Sequence, residues 1–250
     1  MMRNKFFIRF IAFFCLLFAV LSMFSCKKKE ETNESGRRTV EQLYVDAVRD
    51  AVFAEQDEIL PLVNITKDDK NVIWDGNKVL VAFLHKYPDS YPDGQDINLK
   101  WGNVWVVSAL EFFKWVQNNS NGVDDWSLRL HQVMGMPEGK ATSVTTMWID
   151  ADLLYRPAYV TGNSSAMKTT LEKTGNEEFD TNYKTWFDSN IVWSYFDSAY
   201  PWTRLGYSYD WADNGREYGL SEFLIFSGAD AKIERTFTIN DFVAFAKDYK

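Results

Sequence analysis

An α+β fold, a single domain with a mainly antiparallel sheet and several packed helices, is what this 250-residue sequence predicts. Three observations lead there. Apolar residues recur at helical spacing in some segments and form strand-length apolar runs in others. Glycine-bearing turns join neighbouring strand segments directly, which makes hairpins. No regular βαβ rhythm runs through the chain, so a parallel, doubly wound sheet is not indicated.

The elements follow in order. Val40, Leu43, Tyr44, Ala47, Val48 and Ala51 share one face of a helix over 39–56. Strands over 72–74 and 78–84 flank Asp75-Gly76-Asn77, a hairpin turn because glycine tolerates positive φ. The segment 86–98 carries Pro88 and Pro92 and reads as a loop. Residues 101–108 are apolar and β-prone, while 109–117 fits a continued strand or a helix equally well. A helix over 124–134 has Asp124 as its N-cap, Gly135 past its end and Pro137 as a stop. A strand follows over 143–149, then a short helical or turn element over 151–155. The stretch 160–178 is polar and irregular, and 183–196 reads as helical. Strands over 220–227 and 232–237 are joined by Gly228-Ala229-Asp230. Thr238 opens a last helix bearing Phe242, Val243, Phe245 and Ala246.

The first residues have a different character. Arg3, Lys5 and Arg9 form a basic start, residues 11–21 are apolar without a charge, and Ser22 to Cys26 reads Ser-Met-Phe-Ser-Cys. A short apolar run behind a basic start is a secretory signal pattern. With Ser25 before Cys26 it resembles a bacterial lipoprotein signal, although Met23 and Phe24 depart from the usual leucine and small residue. The resemblance implies cleavage after residue 25 and lipid on Cys26. An ordinary signal or an uncleaved anchor, with Cys26 incidental, is the alternative. The division expected is a signal over 1–25, a flexible tether over 26–38 and one domain over 39–250. Residues 27–36 are charged and polar without an apolar anchor, which suits a tether. Lys27 stands where an aspartate would resemble an inner-membrane retention signal, so an outer-membrane location is expected. The basic-then-acidic order of 27–34 also resembles surface-export signals.

Composition narrows the function. Three of the 27 basic residues and none of the 35 acidic ones lie in 1–25, which leaves 24 against 35 and a formal charge of −11. Such a balance argues against nucleic acid as a partner. Cys15 and Cys26 are the only cysteines, so a chain cut after residue 25 has no internal disulfide and no cysteine metal site. His85 and His131 are the only histidines, and neither sits in an H-E-x-x-H spacing. No cofactor and no metal are expected. The partners expected are the membrane, through the N-terminal lipid, and an unidentified ligand or protein.

Two segments are unusually dense in aromatic and charged residues. One is Tyr200-Pro-Trp-Thr-Arg-Leu-Gly-Tyr-Ser-Tyr-Asp-Trp211 with Tyr218-Gly-Leu-Ser-Glu-Phe223, and the other is Thr146 to Pro157. Together they resemble a family of uncharacterised bacterial lipoproteins, over roughly the second half of the chain. That family supplies a class and no activity.

Three readings compete for these residues. In the first, the rings are core and Arg156 and Arg204 pair with Asp150, Asp210 or Glu222 inside the fold. In the second, Arg156, Trp202, Arg204, Tyr207, Tyr209, Trp211 and Glu222 line a binding site. The alternation Tyr207, Tyr209, Trp211 puts three rings on one face of an extended chain. In the third, Leu154-Tyr-Arg156 and Gly219-Leu-Ser-Glu222 resemble ADP-ribosyltransferases, which implies an Arg156 that holds NAD and a Glu222 that opposes the developing cation. Leu220 replaces a second glutamate and no Ser-Thr-Ser segment precedes it, so this sequence departs from that pattern. The binding reading leads and the enzyme is the alternative.

Smaller signals are weaker. Asp210, Asp213, Asn214, Gly215 and Glu217 fit a calcium loop or a simple turn. Glu111 is a buried carboxyl with a raised pKa or a surface residue on a helix. His131 is a catalytic group or a hydrogen-bonded core histidine.

Overall fold

The computed structural model describes residues 37–197 and 199–250. Cys26, the signal segment and most of the expected tether lie outside the described residues. Val40–Lys250 forms one compact unit. It is an α+β domain, as the sequence predicts. Its helices are α1 (Val40–Asp50), α2 (Ala109–Asn118), α3 (Trp126–Val133), α4 (Glu177–Val192) and α5 (Ile239–Asp248). Its strands are β1 (Trp74–Asp75), β2 (Lys78–His85), β3 (Asp96–Asn98), β4 (Val104–Ser108), β5 (Ser143–Asp150), β6 (Tyr207–Tyr209), β7 (Tyr218–Ile225) and β8 (Asp230–Thr238).

The strands form one antiparallel sheet in the order β3-β8-β5-β2-β4-β7-β6, with β1 paired to β2. The β1–β2 hairpin closes on Gly76 at φ 58°, the positive φ that a two-residue turn requires at its first central position. β2 lies inside the sheet and is buried on both faces, so it reads as a continuous apolar run without alternation. Leu80, Ala82 and Leu84 face α2, α3 and α5 through Phe112, Phe113, Leu130 and Phe242. Val79, Val81 and Phe83 face the other way, where irregular chain carrying Val63, Ile65, Val72 and Leu99 covers them. Each such side chain contributes about 1.5–3 kcal/mol when fully buried.

Several local expectations are refined. Residues 109–118 resolve to helix, because Phe112, Phe113 and Val116 then bury one stripe against α5. Asp125, one position later than expected, caps α3 by accepting from Leu128 N–H at 3.0 Å. α4 starts at Glu177, six residues before the apolar pattern suggests. Asn176 caps it by accepting from Phe179 N–H, and Glu177, Glu178 and Asp180 favour the helix N-terminus. The expected loop 86–98 contains β3, a three-residue strand paired to β8. At Gly219 a side chain would run into Val133 O and Ser208 Oγ, so only glycine lets β7 pass α3 and β6 this closely.

One irregularity positions the candidate site. β2 and β4 pair only at Val81↔Ser108 and Ala82↔Val107. Beyond that rung, β2 stays paired to β5 as far as His85↔Ser143, and β4 stays paired to β7 as far as Val104↔Ile225. The sheet therefore parts between 83–85 and 104–106.

Candidate functional site

A cleft of about 500 Å³ opens where β2 and β4 part. Its walls are rings: Tyr87 and Tyr91 after β2, Trp105 on β4, Trp193 after α4, and Tyr200 and Trp202 in the loop before β6. Trp105 packs edge-to-face on Trp202 at 6.0 Å, and both contact Trp186 of α4. Trp202 Nε1–H donates to Pro157 O at 2.8 Å, which leaves its ring to serve as wall. At the mouth, Trp193 is 59% exposed and Tyr87 58%. Trp193 opens a π-helical turn, Trp193–Asp197, an irregularity often found at functional sites. A second groove of about 860 Å³ shares Tyr87, Tyr91, Asn103 and Val104 with the cleft and carries Trp101, which is 84% exposed.

Among the described residues, two ionisable groups other than tyrosines line the cleft. Glu222 projects from β7 at the rung facing Val107. Its carboxyl makes no hydrogen bond or ion pair with any described residue, although the side chain is enclosed by protein and only partly open to the cleft. Burial alone pushes its pKa up to about 8. His85 is the opposite case. Its Nδ1 accepts from Tyr87 N–H at 3.1 Å, so Nε2–H donates to Thr145 Oγ1 at 2.7 Å. Burial pushes this imidazole down to about 4 and keeps it neutral.

The expected site residues divide. Glu222 and Trp202 line the cleft together, and Tyr209 reaches it as well. Arg156 does not. It lies on the other face of the sheet, over the Phe223 ring at 5.0 Å, with Nε donating to Gly162 O and Nη2 to Val63 O and Asn163 O. It is fully buried and ties irregular chain to the sheet. Arg204 is held in a left-handed conformation at φ 60° and donates from Nη2 to Ala51 O and Val52 O, just past the end of α1. Neither arginine pairs with Asp150, Asp210 or Glu222. Tyr207 and Tyr209 do point the same way, but their hydroxyls reach inward to Glu58 O and Asp50 Oδ2. Trp211 is core, with Nε1–H donating to Met136 O and its ring edge-to-face with Tyr44. Arg156 and Glu222, the pair needed for the ADP-ribosyltransferase-like reading, are thus on opposite faces of the sheet.

His131, Asp210 and Glu111 are engaged in hydrogen bonds within the fold. His131 is buried, donates from Nδ1 to Ser127 O and accepts at Nε2 from Ala141 N–H. Asp210 forms a bidentate pair with Arg129 at 2.8 and 2.6 Å and accepts from Ala212 N–H, as a turn residue does. Glu111 accepts from Ser221 N–H and Oγ at 3.0 Å each, and burial pushes it up to about 7. Carboxylate oxygens of Asp50, Glu58 and Glu217 lie within 4.8 Å of one another. Glu58 and Glu217 are raised, by burial first and then by neighbouring charges.

Tyr87, Tyr91, Trp105 and Trp193 were not legible as site residues. Each belongs to a segment that reads as ordinary loop, strand or helix, and only the parting of two strands brings them together. No family model matches the chain, and neither a curated protein nor a solved structure matches it.

Proposed function

We propose that this protein is a bacterial envelope lipoprotein, anchored through lipid on Cys26, whose domain binds a small ligand in the β2–β4 cleft. The observation that carries the binding reading is Glu222: an unpartnered carboxyl inside an aromatic cavity of ligand size. Sheets rarely part in mid-strand, since each unpaired buried backbone group is unfavourable. A half-buried acid without a protein partner is unfavourable too. Both features suit a site that a ligand completes. The anchor is supported by the basic, apolar and Ser-Cys order of residues 3–26 and by the charged stretch before Val40. No helix among the described residues is long and apolar enough to cross a membrane.

The ADP-ribosyltransferase-like reading ranks below this one, because Arg156 lies on the far face of the sheet from Glu222, with Nε and Nη2 donating to backbone carbonyls and Nη1 buried without a partner.

A small-molecule screen read by tryptophan fluorescence tests the site. Binders should lose affinity in Trp193→Ala, whose side chain lies at the mouth. Binders indifferent to Trp193→Ala and to Glu222→Gln would place the site elsewhere. Mass spectrometry of the N-terminus tests the anchor: a diacylated Cys26 is expected, and an unmodified Cys26 or a retained Met1 would overturn it.

A further inference from the structure

The lining of the cleft has a one-sided electrical character. Among the described residues, Glu222 is the only carboxyl that lines it, and no lysine or arginine does. Asn103, Asn190 and Ser194 are the neutral polar side chains present. His85 has both ring nitrogens engaged and carries no charge. An anion entering the cleft would meet no cation and one acid. A polyhydroxylated ligand would bring many polar groups to a lining that is mostly ring and aliphatic surface, and unmatched buried polar groups are unfavourable. A cation meets two favourable features: ring faces, which attract positive charge, and a carboxyl free to accept its hydrogen bonds.

We infer that the cleft takes an organic ammonium carried on an apolar or ring-shaped body, with the ammonium at Glu222 and the body between Trp193 and the packed Trp105–Trp202 pair. The inference rests on the reading of the cleft as the binding site. The whole chain carries a formal charge of −8, which draws cations toward it.

Proton bookkeeping follows. Burial holds much of the empty site's Glu222 protonated at neutral pH. An ammonium beside it favours the carboxylate, so the acid proton leaves to the buffer as the ligand enters. The other titratable groups facing the cleft are His85 on β2, Tyr87 and Tyr91 in the following loop, Tyr200, and Tyr209 on β6. His85 and Tyr91 are shifted away from neutrality by burial, and Tyr209 lies far above it. Cation affinity therefore rises with pH between about 6 and 8 through Glu222.

The test compares three probes that share a ring and a reach: 2-phenylethylammonium, 2-phenylethanol and 3-phenylpropanoate. Calorimetric titration of the full protein should rank the ammonium at least about tenfold above the alcohol, with the carboxylate weakest. Glu222→Gln should erase the preference for the ammonium and leave the alcohol within about twofold. Equal affinities for ammonium and alcohol, both lost in Trp193→Ala, would overturn the charge assignment and leave the cleft as the site. Ammonium binding that survives both variants would overturn the inference and the cleft together. No binding by any probe, with the variants folded, would also overturn the inference.

Discussion

Glu222 stands across from Val107, and Val107 across from Ala82, on the last rung that β4 shares with β2. One residue earlier on β4, at Val106, the sheet has parted. The carboxyl is thus held on a rigid three-strand element at the edge of a cleft, with no partner of its own.

The pH dependence of stability follows from that placement. An acid raised to about 8 in the folded chain binds its proton more tightly there than in the unfolded chain. Its contribution is fully present below the unfolded carboxyl range and is lost as pH rises through about 8. Glu111, raised to about 7, acts in the same direction. The melting temperature should therefore fall between about pH 5 and 8, and Glu222→Gln should flatten that slope by at least about 1 kcal/mol over the window. Thermal melts at several pH values check this, and an unchanged slope in the variant would contradict it.

Rings at the mouth and rings in the core should separate cleanly. Trp193→Ala removes an exposed side chain and should change stability by no more than about 0.5 kcal/mol. Trp211→Ala and Trp202→Ala empty buried space and each break a bond to a backbone carbonyl, at about 3–5 kcal/mol. Denaturant melts of the three variants give the comparison.

Arg129 and Asp210 bind each other through two hydrogen bonds, with the carboxylate buried. Arg129→Met leaves Asp210 without its cation and should destabilise by about 3–5 kcal/mol. Chemical denaturation measures it; a loss under about 1 kcal/mol would mean that the pair contributes little.

Gly219→Ala forces a methyl group against Val133 O and Ser208 Oγ. The strand must shift, and a loss of about 1–3 kcal/mol is expected by the same melts.

The fold was largely legible where signals are local. Asp75-Gly76-Asn77 and Gly228-Ala229-Asp230 mark turns through backbone conformation, and α5 announces itself with Thr238 and a stripe of rings. β3 and β6 were not, because three residues carry too short a period and depend on a neighbouring strand. Of the residues that line the cleft, the sequence singles out Glu222, Trp202 and Tyr209 as binding candidates. The stretch from Tyr200 to Trp211 attracts attention by its rings, yet Tyr207, Tyr209 and Trp211 each turn a polar tip inward to a carbonyl or carboxylate. Arg156 and Arg204 look like ligand-binding residues in sequence, but they serve backbone carbonyls. The gap between β2 and β4 has no sequence signature, since each strand is held on its outer side by a partner far along the chain, β5 for β2 and β7 for β4.

Amide chemical-shift mapping with the strongest binder tests the central claim most directly. Perturbations should concentrate in 83–87 and 104–107 and around Glu222, the residues on either side of the parted strands. Shifts confined to the neighbourhood of the Asp50, Glu58 and Glu217 carboxylates, with 83–87 and 104–107 silent, would contradict it.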